Sequence, residues 1–372
     1  MLRRRLATAA LLALTVAASG CAVVKDHKVK VTLQKTPPIH LAVIPKSVGL
    51  DYWTKVHEGA TCAASQMPGV QVTWNGVTDE TDVVGQLNLL NNYIGEGVNG
   101  LVYAATDATA MNEVSNNATK AGIKVVSIDS GTTPQPSNVP LIATNNIAGA
   151  KLAADQLAKA IGPAGGKIAI IAFHAGSQTN DQRVQGFEAE LKKYPKLHLI
   201  GVQYSQNDYN TALTVTANIL TANPDLKGLF AANEASDVGA VEAVRIAHRA
   251  GKVRIIGWDT SPDEVDGVRQ GLVAGLISQD PFRMGYDGVR AATALLRHQQ
   301  RPANENTGAV MVTKADLNNP VVRQFVTRAV ARRGRWTSVD GRGLIAAPLT
   351  PGMYGSIRME RYRQPGLRFP DG

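Results

Sequence analysis

The feature that most constrains this chain is a regular alternation, from residue 38 to about 320, of short apolar runs with amphipathic stretches at helical spacing. The runs in the first half span 39–44, 70–74, 100–105 and 124–128. Those in the second half span 167–173, 197–204, 228–232, 253–258 and 273–278. Between them, residues 52–67 place Val56, Ala60, Ala63, Ala64 and Met67 on one helical face. Ser261-Pro262-Asp263-Glu264 is a helix start, with a capping hydroxyl, a first-turn proline and two acids near the N-terminal end of the dipole. The runs are continuously apolar, which predicts strands covered on both faces, as in a parallel sheet wrapped by helices. They are more numerous than the roughly six strands of one doubly wound sheet, so the pattern predicts two similar α/β domains on either side of residue 143.

Charge then separates the body from its ends. The formal net charge is +9, which on its own suggests nucleic acid or an acidic surface as partner. Residues 1–20 hold three arginines and no acid, and residues 322–372 hold ten arginines, no lysine and three acids. The stretch between is close to neutral, so the body has no basic footprint for nucleic acid. The tail 320–372 has no sustained period and reads as disordered.

Arg3, Arg4 and Arg5 precede an apolar run from Leu6 to Ala18, followed by Ser19-Gly20-Cys21, the layout of an export signal. The run is too short to cross a bilayer. The placement of Cys21 after Ala18-Ser19-Gly20 resembles a bacterial lipobox, which implies cleavage before Cys21 and a lipid anchor on its sulfur. Residues 21–37 read as a tether from membrane to body. The other cysteine, Cys62, stands alone and reads as a buried thiol.

In open α/β sheets ligands bind beyond the carboxyl ends of the strands. Those exits carry Lys46 with Asp51-Tyr52-Trp53, Asp107, Asp129, Asn180-Asp181-Gln182, Asn207-Asp208, Asn233-Glu234, Asp259 and Gln279-Asp280. Carboxylates and amides make paired hydrogen bonds to vicinal hydroxyls, and aromatic faces cover sugar C–H faces. The set predicts a small polyhydroxy ligand held between two domains. No dinucleotide, Walker, zinc-protease or nucleophile-elbow motif is present, and the seven histidines lack metal-ligand spacing.

Pro45-Lys46-Ser47-Val48-Gly49-x-x-Tyr52-Trp53, Gly85-Gln86-Leu87-x-Leu89-Leu90-Asn91-Asn92, Asp129, Asp181-Gln182, Asn223-Pro224-Asp225, Gly257-Trp258-Asp259 and Asp280 recur in order. Over about residues 38–320 they resemble the sugar-type periplasmic binding proteins of ABC importers, the ribose-binding class, and most nearly its autoinducer-2-binding and rhamnose-binding branch. The resemblance implies two doubly wound α/β lobes of periplasmic binding protein type I joined by a three-segment hinge. Lobe one would comprise 38–143 with 281–307, and lobe two 144–280 with 308–319. It implies ligand contacts at Lys46, Asp129, Asp181, Gln182 and Asp280, and, by the ribose-type positions, at Tyr52, Trp53, Asn233, Asp259 and Gln279. Glu234 adds an acidic group in the second lobe. Ribose-type members usually carry arginines where Asp181 and Ser130 stand here, so the resemblance leaves the ligand open among a rhamnose-like sugar, a polyol and autoinducer-2.

The resulting expectation is a monomeric, membrane-anchored, extracytoplasmic protein that delivers a sugar-like ligand to an ABC permease and its ATPase, with no catalysis, metal or cofactor. A sensing subunit for a membrane receptor would use the same lobes, and a sugar-processing enzyme would need a poised acid–base pair. A transcription factor built on this fold would need a helix-turn-helix where residues 1–37 carry an export signal.

Overall fold

The computed structural model describes residues 37–300, 304–319 and 322. The signal 1–20, Cys21 with the tether as far as residue 36, and the tail 320–372 apart from Val322 lie outside the described residues.

Two six-stranded sheets organise the body. The first contains β1 (Ile39–Ile44), β2 (Val70–Trp74), β3 (Gly100–Tyr103), β4 (Lys124–Ile128), β5 (Leu141–Ala143) and β11 (Asn304–Asn306), in the order β11-β5-β4-β3-β1-β2. The second contains β6 (Gly166–Ala172), β7 (Leu197–Tyr204), β8 (Gly228–Ala231), β9 (Arg254–Trp258), β10 (Val273–Gln279) and β12 (Ala309–Val312), in the order β12-β10-β9-β8-β6-β7. All neighbours are parallel except β10 and β12. The chain passes between the sheets three times: after β5, after β10, and between β11 and β12.

Side-chain alternation explains why the inner strands are apolar throughout. Leu41 and Val43 pack under α1 (Asp51–Ser65) and α9 (Pro281–Leu296), while Ala42 and Ile44 face α2 (Val83–Glu96) and α3 (Ala110–Lys120). In the second lobe Ile168 and Ile170 meet α4 (Asn146–Ile161) and α5 (Gln178–Leu191). Ala169 and Ile171 meet α6 (Tyr209–Ala222) and α7 (Glu234–Ile246). Both faces of each sheet are therefore dry. The edge strands β2 and β7 depart from this and are mostly half-buried or exposed. The last helix of this lobe, α8 (Pro262–Gln270), starts with a full capping box between Ser261 and Glu264 and ends at Gly271 in the left-handed region. Cys62 is half-buried rather than buried, and it accepts a hydrogen bond from Gln66 Nε2 at 3.4 Å.

The approach of α1 to α9 is fixed by two glycines. A Cβ on Gly59 would lie 1.9 Å from the Phe282 carbonyl oxygen, and one on Gly285 would lie 2.0 Å from that of Val56. Both obstacles are backbone, so no rotamer change relieves them. Replacing Gly285 with Ala is expected to force the helices apart and destabilise the protein by about 2 kcal/mol or more, measured by thermal or urea unfolding. An unchanged midpoint would show that the helices separate freely.

Candidate functional site

The carboxyl ends of the two sheets face one another across a cleft, and each polar residue in it is placed by a strand exit. Lys46 follows β1 by two residues, Asp129 follows β4 directly, and Asp259 follows β9 directly. Asp129 and Asp259 occupy equivalent exits in the two lobes, and both have left-handed backbones, with φ of 58° and 95°. Non-glycine residues rarely adopt this conformation, and it persists only where the surroundings hold it. Here the ladder does so: Asp129 N donates to Ile142 O at 2.9 Å, and Asp259 N donates to Ile277 O at 2.8 Å.

On the first lobe the centre is the Lys46 ammonium, 2% exposed. It lies 3.1 Å from Asp129 Oδ2 and 3.3 Å from Glu80 Oε1. It also donates across the cleft to Ser177 Oγ at 3.0 Å and Thr179 Oγ1 at 2.7 Å. Two hydroxyls of the second lobe thus accept hydrogen bonds from the ammonium while two carboxylates of the first lie at ion-pair distance, so it is a cross-lobe tie. The Tyr52 hydroxyl donates to Asp129 Oδ1 at 2.8 Å, and the Tyr52 ring meets Trp53 edge-on at 4.9 Å. Burial, and then the Asp129 charge, push the Tyr52 phenol well above its ordinary value, so it remains a donor.

On the second lobe the centre is Arg183. Its Nε donates to Asn146 Oδ1 at 2.9 Å and its Nη1 to Ala232 O at 2.7 Å. The guanidinium carbon sits 4.1 Å from the centroid of Trp258 and 5.4 Å from that of Phe173. Gln279 Nε2 donates to Asp259 Oδ1 at 2.7 Å, which leaves the buried Gln279 Oε1 without a partner among the described residues. Asn233 caps α7 through Ser236 N and holds Asn207 with its amide. A cavity of about 30 Å³ lies between these groups. It opens beside a groove of about 420 Å³ lined by Leu50, Asp51, Tyr209, Glu234 and Asp263.

Eight of the eleven residues expected at the site line this cavity: Lys46, Tyr52, Trp53, Asp129, Asn233, Glu234, Asp259 and Gln279. Three do not. Asp181 is exposed and accepts from Asn180 Nδ2. Gln182 is half-buried against Asn146. Asp280 is buried but accepts from Arg283 N as the cap of α9. The cause for the first two is helical phase. Thr179 and Arg183, four residues apart on α5, share the face turned to the cleft, and residues 181 and 182 are rotated away from it. The second lobe therefore does hold a guanidinium, two residues beyond the position assigned to it from the sequence. That i, i+4 spacing was the signal available. Glu80 comes from the loop after β2 and belongs to no apolar run, so nothing local marked it.

The second lobe also buries a group of acids. Burial first, then the Asp259 charge, push Glu234 up to about 7 and Asp237 up to about 8. Burial pushes Asp259 up to about 6, against the pull of Arg183. Glu264 is raised well above its ordinary value by burial and then by Asp237. Asp237 has no hydrogen-bond partner for either oxygen among the described residues, as suits a neutral carboxyl. Unfolded, these groups release their protons near pH 4. The folded chain therefore binds more protons than the unfolded one between about 4 and 8, and stability falls as pH rises through that window. The melting temperature is expected to be lower at pH 8.5 than at pH 6, with a shallower slope in Asp237→Asn. A melting temperature that climbs with pH would contradict this.

The family description "Periplasmic binding protein domain" matches residues 41–300. The D-ribose/D-allose-binding protein of Pseudomonas aeruginosa is 30% identical over 276 residues, covering 73% of this chain and 86% of the relative. The ribose import binding protein of Escherichia coli is 26% identical over 274 residues, covering 74% and 90%. Among solved structures, an ABC transporter solute binding protein from Agrobacterium vitis with bound D-fucose aligns with a TM-score of 0.76 at 32% identity, covering 77% of this chain and all of that one. One from Actinobacillus succinogenes with bound D-allose aligns at 0.70 and 28%, covering 76% and 100%. With two lobes, parallel sheets and a cleft at the strand ends, the chain belongs to the periplasmic binding protein family.

Proposed function

We propose that this protein binds a neutral monosaccharide between its lobes, outside the cytoplasm, and delivers it to the permease of an ABC importer powered by its ATPase. The observation that carries this reading is the balance of hydrogen-bonding groups in the cavity. Acceptors dominate: the carboxylates of Glu80, Asp129 and Asp259, and the unpartnered Gln279 Oε1. Against them stands Arg183, braced at Nε and Nη1 and stacked on Trp258. Such a site repels anions and takes a ligand rich in hydroxyl donors with one or two acceptor oxygens. Tyr52 and Trp53 wall it, as suits the C–H faces of a sugar ring. The sugars bound by the relatives support the same class. A rhamnose-like sugar, a polyol or autoinducer-2 is the finer ligand proposed, with a monomeric state. It also includes the two lobes with the boundaries given above, hinged at their three connections, and anchoring through Cys21.

The test is a thermal-shift panel of D-ribose, D-allose, D-arabinose, D-fucose, L-rhamnose and autoinducer-2. A ligand at 100 times its dissociation constant adds about 2.7 kcal/mol, a rise of about 5 °C for a body of this size. Arg183→Ala is expected to lower affinity about 100-fold by titration calorimetry, since a charged donor to a buried oxygen is lost. A flat response across the panel overturns the reading. For the anchor, Cys21→Ser is expected to shift the protein from the membrane to the soluble fraction, and an unchanged distribution rejects it.

A further inference from the structure

Helix α1 carries the aromatic wall of the cleft, yet its N-terminus lacks a cap of its own. The residue at the capping position is Leu50, extended at φ −88° and ψ 148°, with no side-chain hydrogen bond to the first turn. Leucine cannot accept one, and N–H groups at a helix start are costly to leave unmatched once buried, as Tyr52 N is. The acceptor comes from the other lobe. Glu234, the first residue of α7, places Oε2 3.1 Å from Tyr52 N and Oε1 3.4 Å from Asp51 N.

We propose that Glu234 is a clasp of the cleft: from one lobe it supplies the N-terminal cap that α1 lacks in the other, so closure and helix capping are one event. The cap exists only when the lobes meet, and this gives the closed form a contact that the open form cannot make. A carboxylate at a helix N-terminus also gains from the dipole. The acids near it, Asp259 beyond β9 and Asp51 on α1, oppose its charge. Each carboxylate oxygen accepts from one of these amides, so Glu234 caps α1 whether or not it also meets the sugar.

The clasp rests on the reading of the cleft as the sugar site only for its effect on affinity. The test therefore has one arm without ligand and one with. In the first, small-angle scattering of the unliganded protein is expected to show a larger radius of gyration for Glu234→Ala than for the wild type, with Glu234→Gln between them. In the second, binding of whichever panel sugar gives the largest thermal shift is measured in a double-mutant cycle with Leu50→Ser, which gives α1 a cap within its own lobe. Glu234→Ala is expected to weaken binding about fivefold on its own and by less than about twofold when combined with Leu50→Ser. An unchanged radius in the first arm, or an equal loss with and without Leu50→Ser, overturns the clasp. Failure of every sugar to bind would overturn the functional reading and leave the scattering arm to decide the clasp.

Discussion

A buried ammonium has to be matched by anions and acceptors, and Lys46 draws them from both lobes. Asp129 and Glu80 come from exits of the first sheet, and Ser177 and Thr179 from the loop and helix after β6 of the second. The first lobe supplies the countercharges and the second the hydrogen-bond acceptors, and burying the ammonium needs both. The arrangement of the cleft depends on this group. It fixes Asp129, which orients the Tyr52 hydroxyl, and it brings the start of α5, and with it Arg183, to face the first lobe.

The two lobes contribute different chemistry to the same space. The first lobe offers carboxylates already facing the Lys46 ammonium and, for Asp129, the Tyr52 phenol, together with a T-shaped aromatic pair. The second offers a braced guanidinium and an amide oxygen with no partner among the described residues. On the function proposed above, a hydroxylated ring would complete both halves at once, and a small neutral molecule would so shift a two-state balance without any strong charge of its own. Selection among sugars then lies in which hydroxyls meet fixed acceptors, since a missing hydroxyl leaves a buried oxygen unmatched.

Much of this was legible in the residues. The apolar runs give the inner strands to within a residue or two, because burial on both faces leaves no room for polar interruptions. The short strands β5 and β11 escaped notice, since three residues carry no period. Strand exits pointed to Asp129 and Asp259, whose backbone strain only coordinates reveal. Arg183 and Glu80 were not legible in that way: one depends on the rotation of a helix relative to a cleft, the other on the path of a loop. Asp280 looked like a ligand group because its residue type serves equally well as a helix cap.

The glycine crossing of α1 and α9 has a mechanical meaning. Helix α9 begins at Pro281, immediately where the chain returns from the second sheet, and Gly59 and Gly285 let its backbone touch that of α1. The aromatic wall at Tyr52 and Trp53 and the point where the chain returns from the second sheet are thus joined by main-chain contact as well as by the side chains packed between the two helices. A displacement of one helix carries the other with it, so the wall and the returning chain form one stiff unit.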